Sequence, residues 1–397
     1  MPVAELGPDD ETSAGPFGRS PSARLAALLG RQPRWRITVL GLVLLGGLWI
    51  IDRSTAPDVS FLVFYLAPVL LLTWFVGRRA GMLVSLASAV LWFLDDVLTG
   101  PAPSRPLTPY WNAAVKLGFF LFVVHVMSAL KAALERQRQA ERERIELEFA
   151  MAAQVQKGLF PQKLVPVTGL DYFGICRPAA AVGGDYYDFI PLGSEKLGIA
   201  VGDISGKGLP ASLLMASLQG SLRSWASSSG GDEARTIENV NRQLCSLTAP
   251  SRFATLFWGV YDSKGRELAY VNAGHNPPML FRQAANGATG RNGHPERLST
   301  GGTILGMFPD AKFECGRVRI EPGDFLGLFS DGVSEAPDPA EVEFGDSRLE
   351  SLLRENALLP APVLCNRVFR EVEAYLQGRP SPDDLTIVVL KAVADGR

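Results

Sequence analysis

The sequence predicts an all-α membrane region of four helices followed by an α+β domain, and three observations carry that division. Hydrophobic residues make up 47% of the 397, and mean hydropathy is +0.12, high for a wholly soluble chain. Four apolar stretches, near residues 36–51, 59–76, 81–98 and 112–130, crowd into the first third, each roughly long enough to span a bilayer. After Pro161 the pattern changes to short apolar runs broken by glycine, which reads as strands and turns. The expected organisation is a disordered tail over 1–22, a membrane domain over 23–130, a helical linker over 131–160 and a mixed domain over 161–397.

Residues 1–22 are rich in Pro, Gly, Ser and acids without periodicity, the composition of a segment that cannot bury a core. Flanking charge orients the four spans. Arg31, Arg34 and Arg36 precede the first, Arg78 and Arg79 separate the second from the third, and Lys131, Arg136 and Arg138 follow the fourth. The alternate loops carry Asp52, Asp58, Asp95 and Asp96, with Arg53 and Arg105 as their basic residues. The positive-inside rule then predicts a multi-pass membrane protein with the N-terminus and the large C-terminal domain in the cytoplasm. Three further spans, and no small-x-small site after the first, disfavour a cleaved signal peptide. Asp95, Asp96, Lys116 and His125 lie in or near spans, where polar groups often serve function. An outer-interface position explains Asp95 and Asp96 as simply.

From Met127 to Leu159 there is no proline, and Gly158 is the only glycine, so a continuous helix is expected. The run Glu135–Arg144 supplies charge and no apolar seam, which argues against a long coiled coil. The helix reads as a signalling connector, with homodimerisation through 128–159 as an expectation and a solvated spacer as the bland alternative.

The C-terminal part is organised around Ile199-Ala-Val-Gly-Asp203-Ile204, an apolar strand ending on an aspartate, followed by a glycine turn and a helix entered at Pro210. A P-loop is excluded, because the spacing of Gly202, Gly206 and Gly208 around Lys207 is wrong and no Ser or Thr follows the lysine. Three more aspartate positions sit at strand ends: Asp185 after Gly183-Gly184, Asp331 closing Phe325–Ser330, and Asp383-Asp384 before Leu385–Leu390. Each alone is an ordinary turn or cap. Four within about 200 residues, with three scattered histidines and four cysteines that form no CxxC pair, favour one shared oxygen-ligand site over zinc. Carboxylates and water suit Mg2+ or Mn2+, and two such ions can share Asp203. Net charge is −2, so nothing marks a nucleic-acid binder. The separated cysteines read as free thiols in a reducing compartment.

The ordered set VGGDYYD, VGDISGKGLPASLLMA, AYVNAGHNPP, LFSDGVSEA and DDLTIVVL resembles the PP2C-type serine/threonine phosphatases of the bacterial RsbU/SpoIIE branch, over about residues 145–395. Ala153-Gln154-Val155-Gln156, leading to Leu159-Phe160-Pro161, is similar to that branch's entry segment. The resemblance implies a four-layer αββα sandwich with a centre of two Mn2+ or Mg2+ ions at the sheet edges. By motif position Asp203 would bridge the ions, Asp331 and Asp383 would complete the second, and the Ile204 carbonyl would serve the first. Asp185 would act directly or through bound water. The implied substrate is a phosphorylated STAS-domain anti-anti-sigma protein.

Two departures from the eukaryotic pattern stand out. Ser205 replaces a histidine proposed there as general acid, and Ala179–Ala181 precede the glycines where a phosphate-binding arginine is expected, leaving Arg177 as the nearest substitute. His275, between Gly274 and Pro277-Pro278, reads as structural, and Gly301–Gly306 as a strand-linking turn rather than a phosphate cradle. The Gly-Gly-Asp of 183–185 is also similar to diguanylate cyclases. Residues 161–182 lack the metal and nucleotide segment that such enzymes need, and that reading fails. A non-catalytic membrane sensor that only binds a switching partner is the remaining alternative.

Overall fold

The computed structural model describes residues 28–55, 61–98, 107–228, 230–247, 252–283 and 294–394, so the expected tail lies outside them. Contacts divide the chain into two units, one up to Arg144 and one from Ile145.

The first unit holds α1 (Arg34–Ser54), α2 (Leu66–Phe75), α3 (Arg78–Leu98) and most of α4 (Thr108–Leu159). Helices α1, α3 and α4 are long and apolar enough to cross a membrane. Helix α2 is not. Its ten residues rise about 15 Å, half of a hydrocarbon core. It stops where the amide of Gly77 turns back to the Leu72 carbonyl, with Gly77 at a φ of 136° that an ordinary side chain resists. Tyr65, Val69, Leu72, Val84, Phe120 and Val124 are among the residues that pack its interior. Helix α4 is one element of 52 residues, carrying the fourth apolar stretch and the proline-free connector without a break.

The second unit is two sheets between two pairs of helices. One sheet has the order β1 (Leu170–Arg177), β11 (Leu385–Ala392), β10 (Phe325–Phe329), β6 (Met279–Phe281), β7 (Glu296–Arg297). The other runs β2 (Tyr186–Pro191), β3 (Lys196–Ile204), β4 (Ala254–Asp262), β5 (Glu267–Ala273), β8 (Gly301–Gly302), with β9 (Gly316–Arg319) also on β5. All pairings are antiparallel except β5 with β8.

Strand alternation makes the layers. In β3, Leu197, Ile199 and Val201 enter the core between the sheets, whereas Ala200 and Ile204 face α5 (Leu209–Ser228) and α6 (Glu233–Leu247). In β11, Val388 and Leu390 enter the same central core, whereas Leu385, Ile387 and Val389 face α8 (Asp346–Glu355) and α9 (Ala361–Leu376). Each such buried Val, Leu or Ile side chain contributes about 1.5–3 kcal/mol of transfer free energy. The order helix, sheet, sheet, helix is the four-layer αββα sandwich that the motifs imply.

Candidate metal centre

Four separate chain segments bring acidic groups to one end of the sandwich. Asp203 ends β3, opposite Thr255 on β4. Asp331 opens α7 (Asp331–Ser334), directly behind β10. Asp383 and Asp384 precede β11, and Asp185 precedes β2. A first side-chain carbon on Gly184 would stand 2.8 Å from the Ile204 carbonyl oxygen and 3.5 Å from Asp203 Oδ1, so the glycine turn lies against both groups.

Close approach of backbone requires the neighbouring glycines. A Cβ on Gly183 would meet Asp384 Oδ2 at 2.3 Å, and one on Gly332 would meet the Asp384 carbonyl at 2.0 Å. Buried Asp384 uses its carboxylate as a scaffold, accepting from the backbone amides of Ala179 at 2.7 Å, Gly184 at 2.7 Å and Asp185 at 3.2 Å. Gly183→Ala should therefore cost about 1–3 kcal/mol of stability and lower activity with it, as read by thermal melts beside phosphate release.

The other side of this turn is held by Gln156 from the last turns of α4. Its Nε2 donates to the Gly183 carbonyl at 2.7 Å, and its Oε1 accepts from the Gly183 amide at 3.1 Å. Asp185, almost fully buried, accepts from Thr386 Oγ1 at 2.5 Å. Asp383 pairs through Oδ2 with Lys207 Nζ at 3.0 Å, and the same ammonium donates to the Pro382 carbonyl at 2.5 Å.

The electrostatics are those of crowded like charges. Burial, then repulsion from Asp331, Asp383 and Asp384, pushes Asp203 up to about 7. Burial and then Asp383 push Asp331 up, and burial followed by Asp203 pushes Asp185 well above the usual carboxylate range. Such a ring is stabilised by a cation, and its donors, carboxylate oxygens and one backbone carbonyl, are those of a hard divalent ion rather than a thiolate or imidazole site. Among the described residues no three acidic, His or Cys side chains already close round one point. In kind, these donors fit divalent ions.

The structure places the remaining candidates elsewhere. Arg177 is paired with Glu373 and lies 4.7 Å from the Phe369 ring centroid, committed away from the centre. Ser205 donates its amide to the Phe253 carbonyl at 2.9 Å, and its Oγ accepts from the Phe253 amide at 2.9 Å. Gly301-Gly302 is strand β8, paired with Asn272 and Ala273.

His275 is buried, with Nδ1 2.9 Å from Thr255 Oγ1 and its backbone amide on Asn272 Oδ1 at 2.8 Å. Burial pushes its pKa down from 6.5 to about 4, so the folded state holds it neutral. The unfolded state takes up the proton first as pH falls. Its contribution is thus fully present above pH 6.5 and is lost towards pH 4, amounting to up to about 3 kcal/mol. The difference in urea-unfolding stability between wild type and His275→Asn should show that slope from pH 7 to pH 4, because the raised carboxylates of Asp203, Asp185 and Asp331 add the opposite slope to both proteins alike.

Sequence reasoning assigned no role to Thr386, Gln156, Lys207 or the Asp188–Arg223 pair. Thr386 follows Asp384 at strand period, which puts the two on one face. Gln156 lies within the entry segment.

The stage II sporulation protein E (SpoIIE) family model matches residues 193–393, just over half of the chain. The phosphoserine phosphatase RsbU of Bacillus subtilis is 29% identical over 273 residues, covering 68% of this chain and 78% of RsbU. Protein IcfG of Synechocystis is 26% identical over 295 residues, but these span 67% of this chain and only 44% of IcfG. The SiaA-PP2C domain of Pseudomonas aeruginosa shares the fold, with a TM-score of 0.54 at 21% identity over 64% of this chain and 98% of that domain. With its αββα sandwich and its motifs in order, the chain belongs to the SpoIIE family of PP2C-type serine/threonine phosphatases.

Proposed function

We propose that the chain is a membrane-anchored, metal-dependent phosphatase that hydrolyses phosphoserine or phosphothreonine on a STAS-domain anti-anti-sigma protein in a partner-switching pathway. The observation that carries the reading is the mutual repulsion that links Asp185 to Asp203 and Asp203 to Asp331 and Asp383, groups from four chain segments, with Asp203 and the Ile204 carbonyl lying against Gly184. Asp203, Asp331, Asp383, Asp185 and the Ile204 carbonyl are the groups that would hold two Mn2+ or Mg2+ ions. When bound, such ions lower the pKa of a water and offset phosphoryl charge. The chain's own contribution is positional. Asp384 fixes the amides of the 184–185 turn, Thr386 orients the Asp185 carboxylate, and Gln156 fixes Gly183 from the other side. Asp185, held by the Thr386 hydroxyl, would act directly or through ion-bound water.

Three apolar helices support anchoring in the bacterial inner membrane, with the N-terminus and the sandwich in the cytoplasm. Helix α4 would carry a signal to the Gly183 turn and to α5, supported by Gln156 and by Gln219 Nε2, which donates to the Leu159 carbonyl at 2.6 Å. Exposed Leu147, Met151 and Val155 recur at four-residue spacing, which supports pairing of two copies along this helix.

The test is phosphate release by the full-length protein in nanodiscs from a phosphorylated STAS protein, beside an unrelated phosphoprotein. Preferential release from the STAS protein supports the reading. Binding of that protein without release would favour a non-catalytic sensor.

A further inference from the structure

The phosphoryl group needs a cation that the expected arginine position does not supply. Arg177 is spent on Glu373 and Phe369, and Arg223 is held by both oxygens of Asp188. The loop after Asp203 offers two others. Lys207 stands between Gly206 at φ 96° and Gly208 at φ 73°, backbone states that favour glycine, so the lysine sits on a sharp turn at the rim of the centre. Its Nζ already reaches the acidic ring, 3.0 Å from Asp383 Oδ2. The two-bond pairing of Ser205 with Phe253 draws the start of β4 against this turn, and a Cβ on Gly206 would lie 3.4 Å from Arg252 Nη1. A lysine and an arginine thus flank the same turn beside the carboxylates.

Resting on the phosphatase reading, we infer that Lys207 and Arg252 bind the phosphoryl oxygens of the substrate, in place of the missing arginine. The ion pair of Lys207 with Asp383 is no obstacle. Its side chains are 62% and 46% exposed, so the pair contributes little and its ammonium is free to exchange partners. A phosphoserine carries close to two negative charges at pH 7, and hydrogen bonds to such a group from charged donors are among the strong ones. The guanidinium matches two phosphoryl oxygens at once, while the ammonium acts as a point charge.

The experiment uses the full-length protein in nanodiscs, wild type beside Lys207→Met, Lys207→Arg and Arg252→Met. Inorganic phosphate binding is read by calorimetry with and without Mn2+, Mn2+ affinity is read separately, and kcat and KM are read with an aryl phosphate. The expected outcome is phosphate affinity lower by about tenfold or more in each methionine variant, with Mn2+ affinity kept and KM rising more than kcat falls. Lys207→Arg should recover most of the phosphate affinity. Unchanged phosphate affinity in both methionine variants would overturn the inference, as would Mn2+ affinity falling in step with it. Absence of turnover in the wild type would count against the phosphatase reading alone, because the phosphate titration still decides the role of these two residues.

Discussion

Replacing Asp203 with asparagine should lower phosphate release by the full-length chain more than about 100-fold at saturating Mn2+, since even partners one layer outside a metal ligand are worth about 10- to 100-fold. Asp203 is the residue whose carboxylate feels Asp331, Asp383 and Asp384 together, and it is raised to about 7 by burial and by that crowding. An amide removes the charge that bound ions would share. It also relieves the repulsion, so Asp203→Asn should melt no lower than wild type in the absence of metal. Loss of activity with stability kept distinguishes a ligand from a scaffold residue. Asp384→Ala should show the reverse balance, with melting lowered because three backbone amides lose their acceptor. Paired thermal melts and phosphate-release assays on the two variants make the comparison.

The largest effect on stability is expected at Asp188 and Arg223. Asp188 on β2 is fully buried, yet it carries a bidentate pair with Arg223, Nε to Oδ2 at 2.7 Å and Nη2 to Oδ1 at 2.8 Å. It also accepts from Tyr186 Oη at 3.0 Å and from the Phe189 amide at 2.9 Å. Arg223→Ala leaves that carboxylate buried without its counter-charge, and the cost should be about 3–5 kcal/mol. For a unit of this size each kcal/mol moves the melting point by about 2–4 °C, so a drop of roughly 6–20 °C is expected in calorimetry. Asp188→Leu combined with Arg223→Leu should be less damaging than Arg223→Ala alone, because no buried charge then remains.

Neither residue of that pair stood out in the sequence, and the reason is physical. Asp188 reads as a polar position in a tyrosine-rich strand, and Arg223 as an exposed helix charge. Only the packing of α5 on β2 brings them together. The aspartates at strand ends were legible because an apolar run followed by Asp and Gly says where a strand stops and leaves a carboxylate there. Adjacent Asp383 and Asp384 were not separable by pattern. In the fold they point to different tasks, Asp384 to backbone amides and Asp383 to Lys207. The sheets and helices were visible as changes of period, and the unbroken connector part of α4 as an absence of proline from Met127 to Leu159. Helix α2 was not, because hydropathy over 59–76 does not register the turn at Gly77 or that the helix begins only at Leu66.

The decisive measurement is phosphate release by the full-length protein in nanodiscs, first with Mn2+, then with excess chelator, then with Mn2+ restored. Release that stops with chelator and resumes with metal is what the ring of Asp185, Asp203, Asp331 and Asp383 predicts. Release that persists through chelation, or no release from a folded protein shown to bind Mn2+, would contradict it.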